Sequence, residues 1–220
     1  MQSDVTCVDS NSSSLTVTHV IPKGNSVYGV TSLGDDVFVV RWPTEQQIEV
    51  YDANTFTLQR HITVPGLGRT SFGLAACPRN KCLYASDWAN DRIHRVELSG
   101  NNAVRKWSVA PNPVGLSVNS KHNLLVVSQS ERKLQIFTTY GTLLQNIHLQ
   151  AEDIEYPLYP WHAVRLPTDQ FLVSDSLLLY RVCLVGVDGT VVRSYGGQRG
   201  SQLTQMDGPS AGLRRTRSCC

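Results

Sequence analysis

One sequence feature constrains this chain more than any other: a unit that recurs four times at nearly constant spacing. Gly29, Gly73 and Gly115 hold the same place in three units, and His162 holds it in the fourth, at spacings of 44, 42 and 47 residues. Each unit breaks into short segments that alternate apolar and polar residues, separated by turn residues. The clearest is Cys82-Leu-Tyr-Ala-Ser-Asp-Trp-Ala-Asn-Asp-Arg-Ile-His-Arg-Val96. Its apolar period is two rather than 3.6, so it reads as two strands, 83–86 and 92–96, joined by the polar turn 87–91. A period in the low-to-mid forties with four strands per unit describes a β-propeller blade. A β-sandwich would supply short strands without the self-similarity. No segment has a convincing amphipathic helical pattern, which argues against a βαβ fold.

The four units run over residues 27–64, 71–109, 113–149 and 160–195. Valine, leucine and isoleucine at alternate strand positions give each sheet two apolar faces, which one blade cannot bury alone but stacked neighbours can. The glycine near the start of the innermost strand fits a place where backbones crowd. Tyr140-Gly141 and Asp188-Gly189 fall where the hairpin turns between third and fourth strands belong. Before the units, Leu15-Thr-Val-Thr-His-Val-Ile21 reads as one further strand, the outermost strand of a blade whose inner three are missing. Asp207-Gly-Pro-Ser-Ala-Gly-Leu213 resembles the start of a fifth innermost strand. The expected architecture is therefore all-β: a propeller of about four four-stranded blades plus an N-terminal strand, forming an incomplete ring. Residues 1–14 are expected to be disordered, 15–213 to form the blades and 214–220 to be a basic tail ending in cysteine. Blade faces left open should self-associate. The competing arrangement is a closed four-bladed ring.

Composition narrows the partners. The net charge is +2, and Arg214, Arg215 and Arg217 contribute +3 of it, leaving the rest near −1. No basic field points to nucleic acid. No apolar run approaches the ~20 residues of a membrane span, and Met1–Ser14 lacks the apolar core of a signal peptide. The expectation is a cytoplasmic chain, with secretion left open. Cys77 and Cys82 flank Pro78-Arg-Asn-Lys81, a hairpin turn whose facing positions could meet disulfide geometry. Without a secretory signal, two reduced thiols are the favoured alternative.

The second unit carries Phe72-Gly-Leu-Ala75, then Leu83-Tyr-Ala-Ser-Asp87, then Asn90-Asp-Arg-Ile93. This order resembles the NHL-type β-propeller repeat. The third unit keeps Pro113-Val-Gly-Leu116 with Gln129 in the aspartate's place, the fourth keeps Ser174-Asp175, and the first has Arg41 there. The second unit is also similar to the Tyr-Trp-Thr-Asp propellers of lipoprotein-receptor ectodomains, but that motif does not recur in the other units. The NHL resemblance implies a six-bladed type of propeller that binds protein or RNA, often behind RING, B-box and coiled-coil modules. This chain shows no such modules, so ligase activity is not implied. Because its lysines and arginines are mixed with acids, protein is favoured over RNA.

Loops on a rigid propeller frame carry recognition. The candidate binding residues are Trp42, Trp88, Arg92, Trp161 and His162, which include the residue types that dominate interfaces. Trp42 and Trp88 hold equivalent places in adjacent units and should lie on one face; alternatively, both pack against neighbouring blades. Some propellers of related type are calcium-dependent lactonases or zinc-dependent lyases, which makes a hydrolase or lyase with a channel metal the alternative function. Its candidates here would be His162, Asp87 and Asp175. The remaining histidines are scattered along other strands and turns, and the two aspartates are better explained as caps on turn amides. No Gly-x-Ser-x-Gly, His-Glu-x-x-His or phosphate-loop pattern is present. The favoured expectation is a non-catalytic binding scaffold with no cofactor and no bound metal.

Overall fold

The computed structural model describes residues 6–8, 17–20, 26–43, 46–150, 158–176 and 180–196. Among these every regular element is a strand. β1 (Thr6–Val8) and β2 (Val17–Val20) form a two-stranded antiparallel sheet. The strand expected to stand alone thus has a partner, drawn from a stretch expected to be disordered. The rest falls into four sheets of four antiparallel strands, each hydrogen-bonded in chain order. The first comprises β3 (Ser26–Leu33), β4 (Asp36–Trp42), β5 (Gln47–Asp52) and β6 (Leu58–Thr63). The second comprises β7 (Leu74–Cys77), β8 (Cys82–Asp87), β9 (Arg92–Glu97) and β10 (Val104–Ser108). The third comprises β11 (Pro113–Val118), β12 (Leu124–Ser128), β13 (Lys133–Phe137) and β14 (Leu143–His148). The fourth comprises β15 (Pro160–Arg165), β16 (Phe171–Asp175), β17 (Arg181–Val185) and β18 (Val191–Gly196). The chain divides into two compact units, Met1–Val109 and Ala110–Cys220, with two four-stranded sheets in each.

Short polar side chains close the hairpins. Asp52 Oδ1 accepts the amides of Asn54 and Thr55, Asn119 Oδ1 those of Lys121 and Asn123, and Asp188 Oδ1 that of Thr190. Each is a turn in which a side chain replaces a backbone acceptor. Gly189, at φ +90°, supplies the left-handed turn residue expected after Asp188.

Strand alternation then sorts the core. In the first unit, Phe38 and Val40 of β4 join Ile48, Val50, Leu74, Leu83 and Val96 in one cluster that spans both sheets. Val37 and Val39, one residue out of phase, pack with Tyr51 and Phe56 on the opposite face of the first sheet. In the second unit β12 is buried along its whole length. In the fourth sheet, β16 and β17 alternate buried with half-buried residues.

The first strands of neighbouring sheets meet at the repeat glycine. A Cβ on Gly29 would lie 3.2 Å from both the Leu74 amide nitrogen and the Phe72 carbonyl oxygen. One on Gly115 would lie 2.3 Å from the Trp161 carbonyl oxygen. Gly29 and Gly115, two of the three period-marking glycines, therefore serve close backbone approach.

Cys77 and Cys82 face one another in register and are free, buried thiols, the favoured of the two readings of this pair. Burial pushes the Cys82 thiol above its ordinary pKa and so disfavours its thiolate. In the third unit the aspartate's place belongs to Ser128, not Gln129. Ser128 pairs with Lys133 as Asp87 pairs with Arg92.

Candidate functional site

A polar residue stands at or next to the end of the second strand in every sheet: Arg41, Asp87, Ser128 and Asp175. In the first, Arg41 Nε donates to Glu49 Oε2 at 2.8 Å, and the Tyr51 hydroxyl donates to the same oxygen at 2.8 Å. In the second, fully buried Asp87 accepts the Gly68 amide at 3.2 Å and the Asn90 side-chain amide at 2.9 Å. His94 Nε2 lies 3.3 Å from the same carboxylate and is also fully buried. In the third, Ser128 Oγ donates to the Pro111 carbonyl, and Gln135 Oε1 accepts the Ala110 amide at 2.7 Å. In the fourth, Asp175 accepts the Tyr159 amide at 3.3 Å and Arg181 Nε at 2.9 Å.

In the last three sheets these side chains act as latches that tie the incoming segment to the sheet it is about to enter. Burial alone would raise the Asp87 carboxyl, but the bonds from His94, Asn90 and Gly68 outweigh it and hold the pKa below the usual carboxylate value. The two aspartates are caps. Among the described residues, no group of three or more His, Cys, Asp or Glu side chains could hold a metal ion.

The latch in the second sheet also positions the turn after β8. The Trp88 amide donates to the Thr70 carbonyl at 3.0 Å, which places the indole beside the segment leading into β7. Four aromatic rings line up there. Trp42 and Tyr28 meet edge to face at 6.4 Å between centroids, Tyr28 and Phe72 at 5.0 Å, and Phe72 and Trp88 at 6.1 Å. Trp42 is 45% exposed and Tyr28 41%, while Phe72 and Trp88 are half-buried. The two tryptophans marked as equivalent by the repeat stand at the two ends of this series. They reach each other only through Tyr28 and Phe72, which were not among the candidate residues. A signal for those two does exist in the sequence: each directly precedes a period-marking glycine.

Arg92 is exposed at the start of β9, paired in register with Asp87 and four residues past Trp88. Trp161 and His162 belong to the other unit. Trp161 is half-buried, and its carbonyl lies against Gly115. The His162 amide donates to Ser174 Oγ at 3.1 Å. Its ring reaches solvent, yet the surrounding protein desolvates it enough to lower its pKa below the ordinary histidine value.

No family model matches the sequence, and no curated protein matches it. Solved structures do match the fold. A catalytically inactive histidine-to-alanine variant of virginiamycin B lyase from Staphylococcus aureus, with quinupristin, shares 13% identity at a TM-score of 0.63, covering 87% of this chain and 62% of that one. A streptogramin B lyase shares 13% identity at a TM-score of 0.64, covering 87% and 61%. Hydrazine synthase from Kuenenia stuttgartiensis shares 15% identity at a TM-score of 0.62, covering 80% and 51%. The chain spans less than two thirds of the length of each. These likenesses establish a β-propeller-type fold built of four-stranded antiparallel sheets.

Proposed function

We propose that this chain is a non-catalytic, NHL-like propeller module that binds a protein partner through the aromatic row of its first unit. One observation carries the reading: Trp42, Tyr28, Phe72 and Trp88 form a continuous ring-to-ring series in which Trp42 and Tyr28 are open to solvent. Rings wedged edge to face are already ordered, so a partner that covers them loses little conformational freedom. Buried aromatic anchors carry most of the binding energy at protein interfaces. The polar latches support the same reading, because they stiffen the frame on which the row is mounted. A cytoplasmic setting belongs to this proposal.

Trp42→Ala and Trp88→Ala are each expected to weaken capture of a partner at least tenfold, since hot-spot truncations cost about 2 kcal/mol or more. Titration calorimetry with a partner isolated on the wild-type chain measures this. Unchanged affinity in both variants, with their circular dichroism intact, removes the row from the interface.

A second reading is a propeller lyase or hydrolase, and His162 is the observation that favours it. Its ring is accessible, and its lowered pKa keeps the imidazole neutral near pH 7, the state a general base requires. The neighbouring lyase is described as catalytically inactive when one histidine becomes alanine. Calcium and zinc analysis of purified protein, with turnover assays of wild type and His162→Ala, separates the readings. The binding-module reading expects no stoichiometric metal and no turnover lost in the variant.

A further inference from the structure

Cys77 and Cys82 close the β7–β8 hairpin, and the turn between them is Pro78-Arg-Asn-Lys81. The Lys81 amide donates to the Pro78 carbonyl at 3.3 Å across that turn. The two cysteines are paired in register and so project from the same face of the sheet. The ladder also fixes which kind of pair they form. The Ser86 amide donates to the Gly73 carbonyl at 3.0 Å, and hydrogen-bonded pairs recur at every second residue of an antiparallel ladder. Four residues along each strand from that bond stand Cys77 and Cys82, which are therefore a hydrogen-bonded pair. Facing Cα atoms in such a pair lie about 5.5 Å apart, within the commonest range for bridged cysteines.

The structure holds the reduced form. Both thiols are fully buried, yet the Cys77 sulfur lies against the turn, where Asn80 Nδ2 donates to it at 3.3 Å. Pro78, Arg79 and Lys81 of that turn are exposed, so a local opening of four residues leads from solvent to the pair. Burial is the main cause that raises the Cys82 pKa, and the neighbouring Cys77 adds to it. The low thiolate fraction makes exchange slow. It does not set the end point, because dithiol and disulfide are both uncharged and both suit a buried face.

We infer that Cys77 and Cys82 are a reversible dithiol–disulfide couple, which staples the β7–β8 hairpin in oxidising surroundings and releases it in reducing ones. The oxidant is a small-molecule disulfide. A thiolate of the pair attacks one of its sulfurs, forming a mixed disulfide and expelling one thiolate. The second thiol of the pair loses its proton and displaces the other half. In sum, two protein thiols are oxidised to one disulfide, and the small disulfide is reduced to two thiols that carry the two protons. Phe72 stands just before β7 and Trp88 just after β8, so the staple closes the far end of the hairpin that bears half of the aromatic row. The inference stands whatever that row binds.

The test equilibrates the full, folded chain in mixtures of glutathione and glutathione disulfide. Free thiols are then blocked and tryptic peptides mapped without reduction. Trypsin cuts after Arg79 and Lys81, so the bridge joins residues 70–79 to residues 82–92. The joined peptide is expected to be the major form when glutathione disulfide is in excess, with circular dichroism unchanged. Two glutathione thiols are released per bridge, so raising glutathione about tenfold should lower the ratio of bridged to free chain about a hundredfold. A merely tenfold response marks a mixed disulfide with glutathione and overturns the inference. So does a bridge to Cys183 or to a second chain. A bridge that forms only in urea, or at no ratio, means that the folded hairpin holds the sulfurs apart or out of reach, and the inference falls. A bridge that excess glutathione cannot reopen makes the pair a permanent cross-link and removes the switch.

Discussion

Asp87→Ala is expected to lower the free energy of unfolding by about 3 kcal/mol, the upper end of what leaving a buried donor without its acceptor costs. The change strands three donors at once: the Gly68 amide, the Asn90 side chain and His94 Nε2. His94 is the worst placed, because its Nδ1 is already buried with no hydrogen-bond partner. The third sheet shows how the same place is filled without charge. Ser128 stands where Asp87 does, Gln135 stands where His94 does, and Gln135 takes the incoming amide itself. The double variant Asp87→Ser, His94→Gln should accordingly be more stable than Asp87→Ser alone, despite carrying one more substitution. Urea unfolding of the wild type, both single variants and the double variant tests this. A double variant no better than its parent would mean that the latch does not act as a unit.

The same carboxylate sets a pH dependence. Its pKa in the folded chain lies below the ordinary aspartate value. Stability from Asp87 is therefore fully present above the unfolded-state pKa of about 3.9, and it drains away as pH falls through the folded value. In Asp87→Asn this part of the acid-induced loss should vanish, so the wild-type and variant midpoints should converge as pH falls below about 4.

How much of the fold is legible in the sequence depends on which interactions are local. The four-strand unit is legible because alternation and turn chemistry lie within a few residues, and the glycine spacing links one unit to the next. The capping role of Asp87 and Asp175 is legible for the same reason. The identity of the third unit's cap is not. Leu124-Leu-Val-Val-Ser128-Gln129 is apolar without alternation, so nothing in it opposes a slip of one residue. Only the pairing of Ser128 with Lys133 decides it. In the sequence His94 is one of several scattered histidines, although the turn at 88–91 folds it back onto Asp87 seven residues earlier. The aromatic row is half legible. Equivalence in the repeat singles out Trp42 and Trp88, but Tyr28 and Phe72 join them only because the first strands of two sheets approach within backbone contact at Gly29. That approach is a tertiary fact with no signature in either strand alone.

Close approach at the repeat glycine yields the second large expectation: Gly115→Ala should cost about 3 kcal/mol, at the upper end of what overpacking usually costs. The new Cβ would stand 2.3 Å from the Trp161 carbonyl oxygen and 2.7 Å from the His162 Cα, so the obstruction is backbone. Truncating the neighbouring side chain should not relieve it, and Gly115→Ala, His162→Ala should remain as unstable as Gly115→Ala. Gly29→Ala should cost less. Its nearest obstacle, at 2.8 Å, is a Val40 methyl that can shift, and the backbone atoms beyond it lie at 3.2 Å. Gly34→Ala isolates the other reason a glycine is retained. That residue has φ +59° with nothing within 4 Å, so alanine there meets only left-handed strain, about 1–2 kcal/mol. Denaturant midpoints for the four variants should place Gly115→Ala and its double variant together at the bottom, below both Gly29→Ala and Gly34→Ala. If Gly115→Ala proves no less stable than Gly34→Ala, or if His162→Ala rescues it, the contact between β11 and β15 is looser than this geometry implies. The period-marking glycines would then need another explanation.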